Sequence, residues 1–82
     1  RMMVIADIFE ALTAVDRPYK KGKTLSEALK IMKFMAQDSH LDPELFNLFL
    51  AERIYESYAK KFLQPEQIDA VDPGDFRIQI AS

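Results

Sequence analysis

Eighty-two residues suffice for one domain with one modest hydrophobic core. Apolar residues make up 49% and charged residues 29%, which excludes a disordered chain, and the net charge of −2 excludes broad, non-specific nucleic-acid binding while leaving room for a local basic patch. There is no cysteine, so disulfide scaffolds and thiolate chemistry are excluded as well.

The chain opens on MMVIADIFEALT, a predicted helix that is apolar nearly all round, as helices are when neighbours bury them on several sides. It is too short to span a bilayer, carries Asp7 and Glu10, and lacks the cleavage pattern of a signal peptide. We expect no direct membrane contact and a cytoplasmic location. The helix starts without a cap or a polar lead-in, which suggests a segment of something longer. Residues 15–23 form a loop: Arg17 precedes Pro18, Gly22 interrupts, and Arg17, Lys20, Lys21 and Lys23 crowd four positive charges together.

TLSE at 24–27 is a capping box, and Leu25, Ala28, Leu29, Met32, Met35 and Ala36 continue at three- and four-residue spacing to about Gln37. After the polar connection DSH, Asp42 caps a helix with Pro43 in its first turn. Beyond Leu50 the apolar phase shifts, so two helices joined by a tight turn are preferred over one bent helix. Pro65 ends that segment, LQPEQID suits a single helical turn, and DPGD is a turn. FRIQI at 76–80 alternates, as a short edge strand or a tail packed on the body would. The expected architecture is all-α: a small bundle of three to four helices over residues 1–63 and an acidic tail over 64–82. The tail carries no site that the residues themselves reveal.

Two features carry chemistry. Asp7 lies between Ile5, Ala6, Ile8 and Phe9, where a carboxylate costs desolvation unless a cation, hydrogen bonds or a metal compensate. On the residues alone it either belongs to the one solvated stripe of the helix, with Glu10 three residues on, or awaits a cation. One acid is not a metal site, and the single histidine, His40, suits a capping or surface role better than ligation. The basic loop is either ordinary solvated surface or a stiffened anion holder, in which arginine offers a planar fork and lysine a point charge. The methionines, Met2, Met3, Met32 and Met35, read as core.

DIFEALTAVDRPYKKGKTLSEAL closely resembles the C-terminal part of the HD-GYP family, metal-dependent phosphohydrolases of the HD superfamily that hydrolyse cyclic di-GMP in bacterial signalling. The likeness extends over about residues 2–50. It includes the ADxFDALTSxRPYK-like segment from Ala6 to Lys20, the EAL at Glu27 to Leu29, and the DPEL at Asp42 to Leu45. It implies that Asp7 is a metal-ligand aspartate, that Arg17 and Lys20 contact the phosphates of a cyclic dinucleotide, and that Glu10 stands behind the ligand. The intact enzyme would carry a divalent metal centre of iron or manganese. The His-Asp doublet and GYP segment that name the family lie on helices upstream of the resembling segment and are absent from this chain.

Two departures accompany the likeness: Glu10 replaces the family's second aspartate, and LTAVDRPY is one residue longer than the commonest family form. The resemblance therefore implies a phosphohydrolase fragment that is inactive alone and binds no cofactor alone. The alternative is a non-catalytic regulatory, nucleotide-binding or protein-interaction module from a degenerate HD domain. Either way the first helix, deprived of its neighbours, is expected to drive homo-oligomer formation.

Overall fold

Phase decides which side of the first helix is core. The computed structural model describes residues 2–15 and 22–79, and in it α1 (Met2–Thr13) buries Ile5, Ala6, Phe9 and Thr13. At about 100° per residue these fall on one arc of the wheel, and Asp7 falls opposite, with Met3, Val4, Glu10 and Ala11 around it. All five of those outward residues are exposed, Met3 to 75% and Val4 to 56%. The helix is apolar nearly all round, as anticipated, but only half of that girth meets the rest of the described chain. The assignment of methionines to the core holds for buried Met32 and half-buried Met35 and fails for Met3, and the Met2 side chain lies outside what the structure describes.

α2 (Leu25–Gln37) begins at the anticipated box. Glu27 N–H donates to the Thr24 hydroxyl at 3.3 Å and Thr24 N–H to Glu27 Oε1 at 2.9 Å. It ends without a glycine: Ser39 takes the left-handed conformation (φ 62°), Ser39 N–H donates to Ala36 O at 3.2 Å, and His40 N–H to Met35 O at 2.8 Å. This is the Schellman closure, so His40 contributes through its backbone while its side chain is exposed. α3 (Pro43–Ala51) starts on the Asp42 carboxylate, which accepts from Glu44 N–H at 2.9 Å. Arg53, left-handed at φ 53°, then redirects the chain into α4 (Ile54–Phe62), giving the two helices and tight turn anticipated from the phase shift.

α1 packs against each of the other three helices. Its key is Phe9, wholly buried, whose ring meets Phe49 edge-on at 5.6 Å and Tyr58 at 6.4 Å. Leu25, Leu29 and Met32 of α2 and Phe46 and Leu50 of α3 complete the same core.

The tail crosses the bundle. Two 3-10 turns, Pro65–Gln67 and Pro73–Asp75, occupy the two predicted turn positions. The described residues contain no strand, so the edge-strand option for FRIQI gives way to the packed tail. No neighbouring strand offers a ladder, and a side chain substitutes: Asn47 donates from Nδ2 to Ile78 O at 2.8 Å and accepts from Ile78 N–H at 2.8 Å, and the Ile78 side chain is buried.

Tyr55 is 1% exposed, yet its hydroxyl has no hydrogen-bond partner among the described residues. Burial pushes the phenol pKa up, and the Glu56 carboxylate adds to this against the opposing pull of Arg53. Tyr55→Phe keeps the ring and removes an unsatisfied group, so its urea midpoint should stay level or rise by the equivalent of about 1 kcal/mol. A clear loss of stability would show that the hydroxyl is bonded.

Candidate functional site

α1 carries Asp7 at its middle and leads at its C-terminal end into the first root of the basic loop. Asp7 stands at the middle of the outward arc, and Glu10 lies one turn further along the same exposed side. Thr13, where the helix ends and the basic loop begins, is six residues past Asp7, or roughly 9 Å along the axis. Arg17 and Lys20 themselves lie outside the described residues. The two roots of their loop are described, and they are tied together.

Three hydrogen bonds make that tie. Lys23 N–H donates to Leu12 O at 3.1 Å. Gln67, from the tail, donates both hydrogens of Nε2: one to Thr13 O at 2.8 Å, the other to Lys23 O at 2.9 Å. Its Oε1 accepts from Gln64 N–H at 2.9 Å, so three of its four bonding positions are filled in a site where the residue is 4% exposed. The Thr13 hydroxyl turns back to donate to Phe9 O at 2.8 Å, leaving its carbonyl for Gln67. Gly22 sits against this junction so closely that a Cβ there would collide with Thr13 O and Gln67 Nε2.

A second tail contact lies beside the first. The Asp69 carboxylate accepts from Ser26 N–H at 2.9 Å and from the Ser26 hydroxyl, at the start of α2. Burial raises the Asp69 pKa, but the bonds from Ser26 outweigh it and hold the group below the ordinary 3.8. Glu27 is likewise held below its ordinary 4.5, by the Thr24 backbone bond first and the Thr24 hydroxyl next. A carboxyl depressed in the folded state stabilises fully above its unfolded pKa, and that contribution is lost as pH falls through the folded value. The start of α2 and its tail contact should therefore loosen below about pH 4. Thermal melts from pH 6 down to pH 2.5 should show a shallower acid limb in Asp69→Asn than in the parent chain, and parallel limbs would refute the assignment.

The described residues contain no group of three histidine or acidic side chains able to hold a metal ion. A hard divalent cation needs several oxygen or imidazole ligands, and Asp7 with Glu10 is too small a set to complete its shell. His40 does not add to it. It lines a shallow groove of about 320 Å³ with Val4, Ile5, Leu41, Asp42 and Leu45, and Asp7 is not part of that groove. Asp7 is thus presented outward with Glu10 as its carboxylate neighbour, in an arc that also holds Met3, Val4 and Ala11.

The sequence reading missed Gln67, Asp69 and Asn47. The QPEQ spacing marks a local cap, but nothing near Gln67 in sequence betrays partners 54 and 44 residues away. None of the described helices is long and apolar enough to cross a membrane.

Two curated proteins align with 61% of the chain. A cyclic di-GMP phosphodiesterase of Pseudomonas aeruginosa is 40% identical over 50 residues, and a 3'3'-cGAMP-specific phosphodiesterase of Vibrio cholerae is 36% identical over 50 residues. The alignment spans only 11% of either relative's length. No solved structure gives a significant match. The HD domain family model matches residues 1–45, which takes in α1, both tied roots of the basic loop, α2 and the first turn of α3. With more than half of its residues inside that match, the chain belongs to the HD-domain family.

Proposed function

We propose that this chain is the C-terminal helical segment of an HD-GYP-type phosphodiesterase acting on a cyclic dinucleotide. Asp7 supplies one ligand to a divalent metal, with Glu10 behind it, and Arg17 and Lys20 hold phosphate. The observation that carries the reading is the position of Asp7: a carboxylate at the centre of an uncovered helix face, with Met3, Val4 and Ala11 beside it and Glu10 one turn further on, six residues before the Thr13 root of the RPYK loop. The names of the two relatives support the substrate class. A divalent ion, when bound, would activate water and offset phosphoryl charge. On this reading the segment contributes one ligand and a cationic loop to a site that other helices complete, and it is inactive alone.

In the intact phosphodiesterase to which we assign this segment, Asp7→Asn should lower bound metal and reduce kcat by about 10²-fold. Lys20→Ala should raise KM for cyclic di-GMP about tenfold, the scale of one lost charged hydrogen bond. Unchanged metal content and unchanged KM would dispose of the reading. The 82-residue chain titrated with manganese or cyclic di-GMP by calorimetry should be silent. Heat lost on Asp7→Asn or Lys20→Ala would show that the chain builds a site unaided.

The outward arc of α1 is, on this reading, where the rest of the HD domain lies. In isolation it stays uncovered, so the 82-residue chain should self-associate through Met3, Val4 and Ala11. Sedimentation at high concentration should show a dimer or larger species that Val4→Glu disperses, and a monodisperse monomer would contradict this.

A further inference from the structure

We infer that Gln67 is a positioning residue for the anion-holding loop, acting from the tail on the loop's two roots. The inference rests on the proposed role of Arg17 and Lys20. Its basis is the clamp formed by Thr13, Gly22, Lys23 and Gln67, all within the described residues. One amide nitrogen spends both its hydrogens on carbonyls from opposite ends of the loop, at 2.8 and 2.9 Å, and this fixes the separation of Thr13 and Lys23.

Two physical effects follow. Tying the two roots together sets their separation in advance, so less closure entropy remains to be met when an anion binds and the clamp lowers that cost. The last carbonyls of α1 also form the negative end of a helix, an unfavourable neighbour for phosphate. Lys23 N–H covers Leu12 O, and Gln67 covers Thr13 O, so these acceptors are engaged before an anion arrives. The side chain must be an amide. A glutamate of the same shape would set a carboxylate against two carbonyl oxygens, and a methionine would fill the volume without donating.

The test is steady-state hydrolysis of cyclic di-GMP by the intact phosphodiesterase with Gln67→Glu, Gln67→Met, Lys20→Ala and the double variant Gln67→Glu/Lys20→Ala. Asn47→Ala, which releases the tail at Ile78 rather than at the loop, is the control for loosening alone. Thermal melts confirm which variants are folded. Both Gln67 variants should raise KM several-fold with kcat little changed, and Asn47→Ala should leave KM as it is. The double variant should be little worse than Lys20→Ala, because a residue acting through the loop has nothing left to position. If Lys20→Ala raises KM while folded Gln67→Met does not, the positioning role is wrong and the phosphate role survives. Full additivity in the double variant, or an equal rise in KM for Asn47→Ala, also overturns it. If Lys20→Ala leaves KM unchanged, the functional reading itself fails and this inference falls with it.

Discussion

Phe9→Ala should leave little folded protein under conditions where the parent chain is fully folded. Phe9 is wholly buried and is the ring through which α1 meets Phe49 of α3 and Tyr58 of α4. Truncating such a phenylalanine costs about 3–5 kcal/mol, from the lost transfer energy and the cavity left behind. Domains of this size sit near the lower end of the usual range of about 5–15 kcal/mol, so one residue removes most of the margin. In thermal denaturation the midpoint should drop by roughly 15–30 °C. Phe34→Ala provides the comparison within the same molecule: that ring is 54% exposed, and its loss should cost no more than about 0.5 kcal/mol. Equal effects for the two phenylalanines would mean that the core is not built around α1 as described.

Gly22→Ala should open the base of the basic loop. No described glycine has a positive φ, so Gly22 is not required for a left-handed turn. It is required by closeness: an added Cβ would meet Thr13 O and Gln67 Nε2, with Thr13 C a further 3.0 Å contact. A backbone carbonyl at the end of a packed helix cannot step aside, so the Gln67 bonds must give way. We expect a loss of about 2–4 kcal/mol, from overpacking together with broken buried bonds. Amide hydrogen exchange localises the effect. Lys23 N–H, bonded to Leu12 O, should lose protection, while Ala28 N–H, bonded to Thr24 O inside α2, should keep it. A protected Lys23 amide in the variant would show that the junction absorbs the methyl group.

The helices were legible because their signals are local. The Thr24–Glu27 box, the Asp42–Pro43 start and the phase shift after Leu50 each involve residues a few positions apart, and each marks a boundary that the structure reproduces. Two stops were harder to see, since Ser39 and Arg53 take left-handed conformations that sequence usually advertises with glycine. Of the candidate site, the positions of Asp7 and Glu10 on one outward stripe followed from spacing. The roles given to Arg17 and Lys20 came from a family likeness, and their side chains lie outside the described residues. The tail was opaque for a different reason. Gln67, Asp69 and Asn47 act on partners 31 to 54 residues away, and no window along the chain holds both ends of such a bond.

That same span orders events in time. Helical bonds close over four residues, whereas Asn47 must find Ile78 across 31 residues and Gln67 must find Thr13 across 54. Contacts that enclose long stretches of chain return their entropy only after the surfaces they join exist. The tail's partners sit on α1, α2 and α3, so it docks on a surface that those helices must first assemble, and we expect it to be the first part to leave. Opening of the loop's anchor becomes a partial event, reachable by peeling back residues 64–79 without melting α1 or α2, so the closure between Thr13 and Lys23 is governed by the docking of the tail rather than by the core.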